Sequence, residues 1–336
     1  MNLRSLLYCC LVMAVTSCSD DKKLFKKLSS QSTGIHFNNT IIESDSMNPL
    51  DIVNIYNGGG VGIGDFNNDG LQDVYFTGNQ VAGKLYLNQG ELEFRDVTGI
   101  AGVEGMGRWA RGVAVVDINN DGLQDIYISN NISTDSTARR NILYINTGVN
   151  KDGVPVFRDM AAEYGLEVFA QSTMANFFDC DNDGDLDVYV TVNAASSFKN
   201  PSVFHQDRQQ SKNTSVGRLF RNDRDSLKNH PVFTDISSAA GITIGGYGHA
   251  STICDLNMDG WKDIYVSNDF VSPNILYINN RNGTFTDRSG DYFKHTSYNA
   301  MGQDVIDINN DGLSDVFELD MSPRDNYRRK MMLNAN

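Results

Sequence analysis

The sequence predicts an all-β protein, a β-propeller of four-stranded blades, on three observations. A nine-residue acidic phrase, D-x-[DN]-x-D-G-x-x-D, is written five times. Short β-branched and aromatic runs flank the copies, as in "GVAVV" before the second and "DIYIS" within it. Two more strand-like runs follow each of the first four copies in the same order, so the repeating unit holds four short strands. Composition agrees: of 336 residues 30 are Gly and only 6 are Pro, which suits short strands joined by tight turns.

The first and second strands of each unit flank the acidic phrase. A third strand follows: "KLYLNQG" at 84, "NILYINTG" at 141, "RLFRND" at 218 and "NILYINN" at 274. The fourth is led by Phe94, Phe157, Phe233 and Phe285, as in "FRDVTGIAGV". The fifth copy stands in an incomplete last blade. Before any first strand, "LFKKLSSQSTGIHF" at 24–37 repeats the fourth-strand pattern, with Phe25 and Leu28 in the places of Phe233 and Ile236, and Gly34-Ile35 in those of Gly241-Ile242. The expectation is an orphan fourth strand that completes the last blade, with Phe25 and Leu28 buried. The C-terminal "RRKMMLNAN" reads as a third strand. Either the ring closes at five blades, or the chain is the N-terminal part of a longer propeller; the second is the expectation.

The spacing of the phrase carries its chemistry. The copies are Asp65, Asn67, Asp69 and Asp73; Asp117, Asn119, Asp121 and Asp125; Asp179, Asp181, Asp183, Asp185 and Asp187; Asp255, Asn257, Asp259 and Asp263; Asp307, Asn309, Asp311 and Asp315. Oxygen side chains at positions 1, 3 and 5 converge on one point if the chain curls tightly, and Gly at position 6 permits the bend that returns position 9. Hard oxygen donors without His or Cys suit Ca²⁺, about one per loop, which also accepts the backbone carbonyl of position 7: Leu71, Leu123, Asp185, Trp261 and Leu313. A metal-free Asx turn needs only one or two such residues and would leave three to five carboxylates repelling one another. The loops hold 17 of the 42 acidic residues, so much of the net charge of −14 is ligand charge. That charge, without a basic groove, excludes nucleic acid as a partner. An EF-hand is also excluded: position 12 is Phe76, Ile128, Val190 and Val266, with Glu318 in the fifth copy alone, and the flanks are strands.

On these loops and the four-strand unit the chain resembles the FG-GAP/VCBS repeat family, whose fold is the propeller of integrin α-subunits. The resemblance covers residue 24 to the end and rests on the acidic loops; the literal "FG" and "GAP" triplets are absent. Seven blades are what the integrin-type resemblance implies.

The N-terminus reads as a targeting segment. Arg4 precedes an apolar stretch from Leu6 to Val15, too short to span a bilayer. "VTSC" then resembles a bacterial lipoprotein signal, making 1–17 a signal peptide, Cys18 the lipidated residue and 18–23 an acidic tether similar to the export tract of Bacteroidetes surface lipoproteins. The expected place is the outer membrane, surface-exposed, held through the lipid anchor. Cys180 and Cys254 then remain, as small core thiols or as a disulfide.

Two insertions stand out as partner surfaces. Residues 193–217 carry Phe198, Phe204, His205 and Arg208 among polar residues, a composition equally that of a plain insertion. Residues 130–140 contain Asp135-Ser136-Thr137, which resembles a Bacteroidetes O-glycosylation site. The five His are scattered, and no HExxH, GxSxG or phosphate loop occurs. His249 reads as a core or rim residue, with the axial channel as its other place. The sequence therefore points to a calcium-stabilised binding or adhesion module for protein or glycan, without catalysis. The rivals are a glycan or polyphenol lyase or hydrolase using the axial channel, and a structural head for a further C-terminal domain.

Overall fold

The computed structural model describes residues 24–321, apart from 53, 106, 134, 194–214, 225–227, 229, 271 and 298. Cys18, the signal and tether segments, the aromatic and basic residues of the 193–217 insertion, and the C-terminal run after 321 lie outside the described residues.

Four antiparallel sheets of four strands and one of two follow one another along the chain. The first holds β1 (Val61–Gly64), β2 (Asp73–Phe76), β3 (Lys84–Asn88) and β4 (Phe94–Asp96); the second β5 (Trp109–Val116), β6 (Asp125–Asn131), β7 (Ile142–Val149) and β8 (Pro155–Asp159). The third holds β9 (Ser172–Phe178), β10 (Asp187–Val192), β11 (Arg218–Asn222) and β12 (Phe233–Asp235). The fourth holds β13 (Gly248–Cys254), β14 (Asp263–Asn268), β15 (Ile275–Asn279) and β16 (Phe285–Asp287). β17 (Ala300–Ile306) and β18 (Asp315–Asp320) make the fifth. Strand order equals chain order in each four-stranded sheet, and first strands pack on first strands: β1 on β5, β5 on β9, β9 on β13, β13 on β17. This arrangement is consistent with a propeller. The third and fourth strands predicted after each of the first four acidic loops form where the repeated letters place them.

Sheets stack face to face, so strand residues alternate between two neighbours. In β6, Ile126 and Ile128 pack with Phe66, Tyr75 and Leu87 of the first sheet, while Tyr127 packs with Val188 and Val190 of the third. Burial of β6 is accordingly continuous, whereas β2, with one neighbouring sheet, alternates. Among the described residues the row ends on bare faces: Val61 and Ile63 are 55% and 60% exposed, Phe317 and Leu319 54% and 58%. Cys180 is buried and Cys254 half-buried, and both are free thiols.

The N-terminal segment corrects the expectation. Phe25 is 89% and Leu28 40% exposed, because no described strand pairs with residues 24–29 and no described residue covers these side chains. The second half of the comparison holds. Ser30–Thr33 form one helical turn ending at Gly34, φ 76°, where a Cβ would meet the Phe94 carbonyl at 2.5 Å. Gly165 and Gly241 stand in the same relation to Phe233 and Phe285 of the following sheet. Gly34 therefore sits on the first sheet as the terminal glycines of the second and third units sit on the sheet that follows each. His36 N–H donates to the Tyr86 hydroxyl, and the Phe37 ring stacks on Phe76.

Candidate cation-binding loops

All five acidic loops join the first strand of a sheet to its second. Their shape is repeated down to single hydrogen bonds. The position 1 carboxylates of Asp65, Asp117, Asp179, Asp255 and Asp307 accept the position 5 N–H at 2.9–3.2 Å. They accept the glycine N–H of position 6 at 2.7–2.9 Å. The position 5 carboxylates of Asp69, Asp121, Asp183, Asp259 and Asp311 in turn accept the position 7 N–H. Gly70, Gly122, Gly184, Gly260 and Gly312 lie at φ 83–89°, the left-handed bend that only glycine takes freely.

Position 4 is left-handed as well, at φ 56–59°, in Asn68, Asn120, Asn182, Met258 and Asn310. Sequence reasoning missed this, although Asn in four of five copies was its signal. Asn68 Nδ2 reaches the Gly122 carbonyl of the next loop at 3.1 Å, and Asn182 Nδ2 the Gly260 carbonyl at 3.4 Å.

Position 9 opens the second strand and is the anchor of the sheet. Asp73, Asp125, Asp187 and Asp263 have no exposed surface. One oxygen accepts the position 2 N–H at 2.8–3.1 Å. The other accepts the N–H of the third-strand asparagine, Asn88, Asn146, Asn222 or Asn279, at 2.7–2.9 Å. Burial pushes these carboxyls up: Asp73 to about 6, Asp125 to about 7, Asp187 and Asp263 in the same direction. These asparagines were read in the sequence only as strand letters.

The third loop gathers its acids most closely. Ligand oxygens of Asp179, Asp181 and Asp187 lie within 4.8 Å of one another, the one such set of acidic, His or Cys groups among the described residues. The Oδ1 atoms of Asp181 and Asp185 are buried without a hydrogen-bond partner. An all-oxygen set with orphaned anionic oxygens fits a hard divalent cation. In the other loops Asn replaces Asp at position 3, and the carboxylates of positions 1, 5 and 9 do not close to that spacing. Glu318, the one candidate for a position 12 ligand, turns away: it accepts from Tyr265 Oη at 2.9 Å and Asn274 Nδ2 at 2.7 Å, both in the fourth sheet.

Because each second strand runs away from its loop, the 130–140 and 193–217 connections leave from the opposite end of their sheets. That end also holds His249, whose Nε2 lies 3.4 Å from Asp269 Oδ2, both side chains buried. On the loop end, an open cleft of about 650 Å³ between the second and third loops is lined by Asp117, Asn119, Asp185, Arg224, Lys228 and His230.

The FG-GAP-like repeat matches residues 65–128 and 255–317, and each of these spans holds two of the acidic loops. The chain carries two FG-GAP-like repeats. Cartilage acidic protein 1 of Xenopus tropicalis is similar, 27% identical over 217 residues, which is 64% of this chain and 29% of that protein. The same protein of Homo sapiens is 26% identical over 219 residues, 64% and 29% of the two chains. The repeat-bearing chain thus spans under a third of these relatives' length. Among solved structures, an Agrocybe aegerita lectin described as recognising non-reducing terminal N-acetylglucosamine is 17% identical. It matches 67% of this chain and 49% of its own with a TM-score of 0.34, too slight a likeness to bear on fold or function.

Proposed function

We propose that the protein is a cation-stabilised, propeller-type binding or adhesion module for protein or glycan, exported and held at the outer-membrane surface by lipid on Cys18. The observation that carries the binding reading is the division between the two ends of the sheets. The acidic loops with their fixed hydrogen bonds occupy one end as structural elements. The long connections at 130–140 and 193–217, which suit variable contacts, leave from the other. Calcium in the loops is supported by the all-oxygen donors and by the orphaned oxygens of Asp181 and Asp185. Bound there, it would neutralise carboxylates that otherwise repel, with Asp179, Asp181, Asp183 and Asp187 the first holders.

An enzyme reading has one observation in its favour, the buried His249–Asp269 pair. A glycan array probed in Ca²⁺, followed by product analysis on every glycan bound, separates the two. Retention without new reducing or unsaturated ends supports the module. Turnover that disappears in His249→Ala establishes the enzyme. For the anchor, Cys18→Ser is expected to leave the membrane fraction or remain unprocessed; normal anchoring of that variant would reject it.

A further inference from the structure

Two residues beyond the third-strand asparagine, the first and second sheets carry Gly90 and Gly148, at φ 91° and 99°. The third and fourth sheets carry Arg224 and Arg281 there, also left-handed, at φ 42° and 63°. That conformation is costly for an arginine, so its side chain must return something a glycine does not. Both side chains turn back over the acidic loop of their own sheet. Arg281 donates from Nε to Asp259 Oδ2 at 3.1 Å, and its Nη2 lies 2.9 Å from the same oxygen. Arg224 donates from Nε to Asp185 Oδ2 and from Nη2 to the Asp183 carbonyl at 3.2 Å. The two carboxylates are 13% exposed, so their charge is poorly screened by water. Among the described residues, no Lys or Arg forms an ion pair with an acid of the first or second loop.

We propose that Arg281 is a tethered counter-ion that holds the fourth acidic loop closed when no cation is bound, whereas Arg224 neutralises only the extra position 7 acid of the third loop, which stays cation-dependent with the first two. The inference rests on the cation reading above and adds a division of labour to it. In the third loop, Arg224 offsets Asp185, an acid the other loops lack at position 7. Its single charge leaves Asp179, Asp181, Asp183 and Asp187 uncompensated, against three acids in the first or second loop. In the fourth, Arg281 occupies the position 5 carboxylate itself, so a cation there must compete with a guanidinium.

Hydrogen exchange resolved by peptide tests this in the full chain, with Ca²⁺ and with EGTA. In EGTA, residues 65–73, 117–125 and 179–187 should lose protection, while 255–263 keeps most of its own. Arg281→Gly and Arg224→Gly install the residue that the first two sheets carry, so the backbone accepts them. Each variant should speed exchange of its own loop in EGTA about threefold, the scale of a half-exposed ion pair, and leave the other loops unchanged. Arg281→Gly should also tighten Ca²⁺ binding at the fourth loop, read by calorimetry. Loss of protection in the fourth loop equal to that in the first three, or an Arg281→Gly protein that exchanges like wild type in EGTA, would overturn the proposal. If Ca²⁺ protects no loop, the cation reading fails by itself, and the EGTA arm of the variants still decides the role of the arginines.

Discussion

Asn146 of the second sheet donates its side-chain amide to the carbonyl of Phe66 in the first sheet's acidic loop, at 2.8 Å. Asn279 does the same across the next pair of sheets but one, to the Cys180 carbonyl at 2.8 Å. The backbone N–H of each asparagine meanwhile binds the position 9 aspartate of its own sheet. One residue type therefore ties the third strand to its own loop and the loop of the preceding sheet.

Removing that tie gives the first prediction. Asn146 is 1% exposed, so Asn146→Ala leaves a buried carbonyl without its donor, a loss of about 1–3 kcal/mol. Asn88 is the internal control, because its amide stays within its own sheet and binds the Gln72 carbonyl. Urea unfolding should place Asn146→Ala below Asn88→Ala by about 1 kcal/mol. Equal midpoints would mean that the inter-sheet bond contributes nothing.

How much of this was legible follows from the range of each interaction. The strands were readable because period and turn letters are local: "DG" sets the bend, and the following "DVYF" or "DIYV" sets the strand. The loop set was readable for the same reason, since nine consecutive residues contain it. The asparagine ties were not, because Asn146 and Phe66 are 80 residues apart, and their pairing depends on how sheets stack. Arg224 and Arg281 carry no local signal of their role, because the register of the sheets is what places them over an acidic loop. The burial expected of Phe25 and Leu28 failed for a related reason: a pattern names a strand, but burial also needs a partner.

The second prediction concerns pH. Asp73 and Asp125 are raised to about 6 and about 7, above the ordinary aspartate value of about 3.9, and burial is the main cause. A carboxyl raised on folding takes up a proton as the chain folds. Its contribution to stability is complete below the unfolded value and is lost as pH rises through 6 to 7. The EGTA-treated protein should therefore unfold at lower urea at pH 8 than at pH 5.5. A divalent cation bound in the loops, as proposed, would hold the same carboxylates ionised, so in Ca²⁺ the order should reverse. Metal-free protein that gains stability between pH 5.5 and 8 would contradict the assignment.

The last prediction repairs an irregular copy. Met258 holds position 4 of the fourth loop at φ 57°, where the other four loops carry Asn. A left-handed backbone costs an ordinary L residue about 1–2 kcal/mol, and Asn much less, because its short amide bonds locally. Met258 is 63% exposed, so little apolar burial is lost when it is replaced. Asn68 and Asn182 also use this position to reach the glycine carbonyl of the following loop, a bond the thioether cannot donate. Met258→Asn should therefore raise stability by about 1 kcal/mol in urea unfolding. Met258→Gly separates the two causes: it relieves the backbone but supplies no amide and loosens the unfolded chain. An Asn variant above the Gly variant assigns the difference to the loop-to-loop bond, here to the Gly312 carbonyl. A Met258→Asn protein no more stable than the parent would show that the left-handed position carries no such cost.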